Sequence, residues 1–142
     1  MKDEPWRRVL SRAVLAVAAV LQGCGDPGVN PSRQDARAAL EAALSSWKSG
    51  KTPADLATSS PPINVVDGEW AAGRKLADFE ILREEPSAAD KRFAVKLVRT
   101  PPAKDEEVVY IVLGAETVSV FRAEDYDRTM NMDNNPAPKK RR

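Results

Sequence analysis

The chain contains no histidine and a single cysteine, Cys24, among 142 residues. The first absence removes Ser–His–Asp and Cys–His nucleophilic sites and argues against a zinc centre, so no metal or cofactor is expected. The second excludes any disulfide within the chain. Aromatic residues make up only 6%. No apolar run reaches the roughly 20 residues that a membrane-spanning helix needs; the longest, residues 13–21, is about half of that. Charge of one sign is also lacking. Residues 24–138 hold 14 basic and 19 acidic side chains, a net of −5. A domain of that sign is a poor partner for nucleic acid, whose phosphates require clustered Lys and Arg.

What is present begins at the N-terminus. Arg7, Arg8 and Arg12 precede the apolar run, and Leu21-Gln22-Gly23-Cys24 closes it. A positive head, a short apolar middle and a small residue before a break form the plan of a secretory signal. The ending Leu21, Gln22, Gly23, Cys24 resembles the lipobox of bacterial lipoproteins. That resemblance implies cleavage before Cys24, acylation of its thiol, and a mature chain anchored to the bacterial inner or outer membrane on the extracytoplasmic side. On this reading residues 1–23 are a signal peptide and residues 24–31, with two glycines and two prolines, a tether.

The remaining length suits one domain with one core. Ser32 with Asp35 offers a helix start, and Ala36, Ala39, Leu40, Ala43, Leu44 and Trp47 recur at helical spacing. Lys48 and Gly50 suit the end of that helix. Trp47 is expected in the core. Thr52-Pro53-Ala54-Asp55 predicts a single helical turn, and Ser60-Pro61-Pro62 an extended passage into residues 63–66. Asp67-Gly68 reads as a turn after which Trp70 folds back onto the core. Four strands are expected at residues 75–83, 92–99, 108–113 and 117–122, with short links that favour antiparallel neighbours. The continuous apolar run at 108–113 predicts a central strand covered on both faces.

The expected fold class is therefore α+β, one long helix packed on a curved antiparallel sheet of about four strands over residues 32–122. This element order resembles the cystatin-like and NTF2-like cone. Local words such as Ser46-Trp47-Lys48-Ser49-Gly50-Lys51 also resemble small secreted proteins of planctomycetes. Neither resemblance supplies a catalytic motif. Residues 123–142 show no apolar period and are expected to be a disordered tail with a basic end. There Lys139, Lys140, Arg141 and Arg142 are candidates for contact with anionic headgroups or cell-wall polymer.

Candidate chemistry is sparse. Asp67 with Glu69, and Asp105-Glu106-Glu107, are expected to be solvated loop carboxylates, too few in ligands for a calcium site. Two classes of function follow. One is a tethered, non-enzymatic binding module that presents its sheet to an envelope protein or a small apolar ligand, with a weak homodimer through a sheet edge or an open sheet face. The other is a small enzyme in which Asp78 or Glu80, if buried with a raised pKa, acts as general acid or base. A deep cavity holding Asp78 or Glu80 would distinguish the second from the first.

Overall fold

A computed structural model describes residues 30–114 and 116–132. Helix α1 (Arg33–Lys48) leads, followed by α2 (Pro53–Ala57), β1 (Ile63–Val66), α3 (Gly68–Ala71), β2 (Leu76–Glu85), β3 (Lys91–Arg99), β4 (Glu106–Leu113), β5 (Val118–Arg122) and α4 (Ala123–Met132). The class is α+β: one mixed sheet in the order β1-β5-β4-β3-β2, with helices packed against it.

Local chemistry accounts for the first helix. Ser32 Oγ accepts the Asp35 N–H at 3.1 Å and donates to the Asp35 carboxylate at 2.7 Å, closing the start of α1. Gly50, at φ +87°, lets the chain leave the helix in the left-handed region. Ala36, Leu40, Ala43, Leu44 and Trp47 form the buried stripe. They lie on Phe93, Val95, Leu97, Tyr110, Val112 and Val120 of the sheet. The alanines keep the helix close to the strands.

The four-stranded antiparallel sheet expected from the sequence is corrected to five mixed strands. The additional strand is β1, which pairs with β5 in parallel through Ile63↔Val118 and Val65↔Val120. The whole of β2, β3 and β4 lies between these two in sequence, ample chain for a parallel return. The other pairings are antiparallel, and β2 carries register shifts at Leu76/Asp78 and Ile81/Arg83, irregularities that bend a strand. The β4–β5 hairpin turns at Gly114, φ +95°. A Cβ there would stand 2.4 Å from the Thr117 carbonyl oxygen.

The reading of residues 123–142 as a tail is corrected for its first part, since Ala123–Met132 is helix α4. It packs on β4 and β5, with Tyr126 edge-on to Phe121 at 5.4 Å between ring centroids. Strand parity explains the need for it. Phe93, Tyr110 and Val112 face α1, so Ala94 and Ile111 point the other way and are nevertheless fully buried. β4 is the central strand and is covered on both faces, as its apolar run predicted. Ile111 and Phe121 therefore belong to the α4 side.

Candidate functional site

At one end of the sheet the face that meets α1 turns from apolar to charged. Register brings the residues together. Arg122 lies opposite Tyr110, Glu106 opposite Leu97, and Arg99 opposite Leu76. Asp67 follows β1 at the position that continues Ile63 and Val65. Its Oδ1 accepts the N–H groups of Glu69 and Trp70 at 2.9 and 3.1 Å, capping α3. Its Oδ2 accepts the Tyr110 hydroxyl at 2.5 Å and lies 4.0 Å from Arg122 Nη1.

The set continues outward. Arg122 Nη2 and Arg99 Nη1 donate to the two oxygens of Glu106, each at 2.9 Å. Arg99 Nη2 reaches Glu69 at 3.3 Å. The Arg99 and Arg122 side chains are only 4% and 5% exposed. Buried charges require partners, because the desolvation penalty is otherwise large. Here two guanidinium groups alternate with Asp67, Glu106 and Glu69. Burial first, then the Asp67 charge and hydrogen bond, push the Tyr110 hydroxyl well above its ordinary pKa. The phenol is thus a neutral donor. The expectation of solvated carboxylates is corrected for Asp67, which is fully enclosed; Glu69 remains partly exposed.

Arg99 joins this cluster to a cleft. Its guanidinium carbon stands 5.4 Å from the centroid of Trp47, and Trp47 stacks on Trp70 at 5.4 Å and 9°. Both indoles are buried and each holds a loop. Trp47 Nε1 donates to the Arg74 carbonyl at 2.7 Å, and Trp70 Nε1 to the Lys51 carbonyl at 2.8 Å. Between these two loops lies a cleft of about 360 Å³, with Lys48, Lys51, Arg74 and Lys75 in its lining and no carboxylate. Trp47 is core, as expected, and it also frames this cleft.

Asp78 and Glu80 are exposed on β2, an edge strand, and neither lines the cleft. Asp78 accepts a hydrogen bond from Lys48 at 2.9 Å. That bond, with a backbone N–H and the Lys48 charge, holds its carboxyl below the ordinary value. A general base needs the opposite shift. Leu21, Gln22, Gly23 and Cys24, and Lys139, Lys140, Arg141 and Arg142 at the other end, lie outside the described residues. Among the described residues no helix is long and apolar enough to cross a membrane. Among them, too, no group of three or more His, Cys, Asp or Glu is placed to hold a metal.

The buried cluster went unread in the sequence because its members are far apart, yet alternation carries a signal for each. Arg99 continues Phe93, Val95 and Leu97; Arg122 continues Val118 and Val120; Glu106 precedes Val108, Tyr110 and Val112 in step. Comparison with known proteins finds no matching family model, curated protein or solved structure.

Proposed function

We propose that this chain is an extracytoplasmic lipoprotein held to the cell membrane through acylated Cys24, and that its domain is a binding module. The fold we propose for it is of the cystatin-like/NTF2-like kind, supported by one long helix followed by the antiparallel succession β2–β5. The observation that carries the binding role is the cleft between the Trp47–Arg74 and Trp70–Lys51 loops. Its walls are fixed by two indole hydrogen bonds on a stacked pair, so it is formed before any ligand arrives. A preformed site spares the ordering cost of binding.

The lining favours a polar, acidic ligand over the small apolar one expected from the sequence. The acid/base alternative gains nothing, because Asp78 is an exposed ion-pair partner and Glu80 an exposed strand residue. The weak homodimer has least support at β2, whose Asp78, Glu80, Arg83, Glu84 and Glu85 place charge along that edge. The basic end at Lys139–Arg142 is assigned to contact with an anionic surface.

Anchoring is tested by mass spectrometry of the chain from a bacterial membrane fraction. A form beginning at Cys24 with acyl mass is expected, and Cys24→Ala should remain uncut and unacylated. A mature form beginning elsewhere would contradict the anchor. The binding role is tested by photo-crosslinking from position 100, an exposed site at the cleft, against position 82, an exposed site on β2. Adducts should concentrate at position 100; equal labelling would contradict the module.

A further inference from the structure

The residues around the cleft define the charge of its ligand. Residues 24–138 are net negative, yet four cations line this cleft and no acid does. Like charges gathered in one place repel, so the arrangement favours any anion that enters. Lys48 and Arg74 are each shared with one carboxylate, Asp78 at 2.9 Å and Glu69 at 3.4 Å. Both are exposed pairs, which are weak and exchange easily for a better partner. Among the described residues Lys51 and Lys75 have no carboxylate within 4.0 Å.

The C-terminal end of α1 carries about half a negative charge, against four cations in the lining, and its carbonyls are occupied. The carbonyls of Ser45, Ser46 and Trp47 accept the N–H groups of Ser49, Lys51 and Gly50. The aromatic rings offer no stacking platform, because Trp47 and Trp70 cover each other and are 3% and 4% exposed. Recognition therefore rests on charge. Lysine ammonium groups are compact point charges suited to phosphate oxygens. A cleft of about 360 Å³ falls in the lower range of small-ligand sites.

We propose that the cleft binds an oligophosphate group presented from solution. The ligand class follows from the lining; the choice of solution over the anchoring leaflet rests on the lipoprotein reading. The cleft sits at the C-terminal end of α1, whereas the chain from Cys24 enters at Asn30. The 16 residues of α1 separate these ends by about 24 Å. An anchor ahead of Asn30 is therefore attached at the end of α1 away from the cleft.

The test uses the full chain carrying Trp6→Phe, which leaves Trp47 and Trp70 as its only indoles. Titration with sodium tripolyphosphate, followed by tryptophan emission and calorimetry, should saturate and should weaken as salt is added. Lys51→Glu/Lys75→Glu should lose at least about tenfold in affinity. An unchanged melting temperature serves as the control for folding. If that variant does not fold, Lys51→Gln/Lys75→Gln should still lose at least about threefold. In a second arm the chain is placed in phosphatidylcholine vesicles with and without phosphatidylglycerol, and emission should not change.

No saturable response to tripolyphosphate overturns the proposal, and so does an equal response from the folded variants. A phosphatidylglycerol response abolished by Lys51→Glu/Lys75→Glu would place headgroups in the cleft and overturn it as well. A silent titration with crosslinks still concentrated at position 100 would overturn the phosphate ligand while the binding module stands. Equal crosslinking from positions 100 and 82 would remove the module itself.

Discussion

The face of the sheet that meets α1 has two halves of opposite chemistry, one fully dry and the other with only its Glu106 side chain, 36% exposed, reaching solvent. In one, Leu40, Leu44, Phe93, Val95 and Val112 belong to the buried apolar cluster. In the other, Asp67, Tyr110, Arg122, Arg99 and Glu106 are joined by hydrogen bonds and ion pairs. Val95 and Asp67 differ by two per cent in exposure. The halves are held by different rules. The apolar half depends on volume and tolerates exchange of one hydrophobe for another of similar size. The charged half depends on completeness, because removing one member leaves another charge buried without its partner.

The sharpest way to break this comparison is Arg122→Ala. It strips Asp67 of its nearest guanidinium and Glu106 of one donor, and should lower stability by about 3–5 kcal/mol. A urea titration showing a loss below about 1 kcal/mol would mean that the charges do not act as a set. Leu44→Ala, in the apolar half, should cost about 2–5 kcal/mol, whereas Leu44→Met should cost less than about 1.5 kcal/mol. Equal losses from the two Leu44 variants would show that volume is not what this half requires.

Tyr110→Phe sharpens the contrast through pH. It removes a donor to buried Asp67 and should cost about 1–3 kcal/mol at neutral pH. The folded phenol ionises well above its ordinary value, held there first by burial and then by Asp67, whereas the unfolded chain ionises near pH 10. Folding thus favours the neutral phenol. Its contribution is complete below about pH 10 and is lost as pH rises toward the folded pKa. The Phe variant should lack that part of the alkaline decline, and an identical slope in both proteins would contradict the buried phenol. Among these substitutions the smallest effect is expected from Tyr126→Ala on α4. This residue is half-buried against Phe121, and the loss should be about 1–2 kcal/mol. No change would mean that α4 does not cover the second face.

These regions also differ in how far they were legible. The α1 stripe, the Ser32 start, Gly50 and the strands β2–β5 are local patterns, and the residues themselves display them. β1 is four residues long after two prolines, and its partner lies beyond three other strands, so nothing local marked it as part of the sheet. α4 was hidden for another reason: only Ala123, Tyr126 and Met130 recur at helical spacing, and Met130 is 48% exposed. The run at Val108–Leu113 nevertheless demanded a second cover, and the next segment in the chain supplied it. The charged cluster and the cleft were illegible because each joins residues from separate elements. Inward parity of Arg99, Arg122 and Glu106 was the available clue to the former. The loops that meet over Trp47 and Trp70 left no comparable pattern.

The two halves converge on the Trp47–Trp70 stack, reached from the charged side through Arg99 and from the apolar side through α1. On the binding reading, this stack holds the cleft open before a ligand binds. Hydrogen exchange of the two indole N–H groups, followed by NMR, tests it directly. Both bonds are predicted to exchange slowly, at rates within about tenfold of the β3–β4 backbone amides, as for groups released only by wide opening of the fold. Exchange of either indole at the rate of an exposed side chain would contradict a preformed cleft.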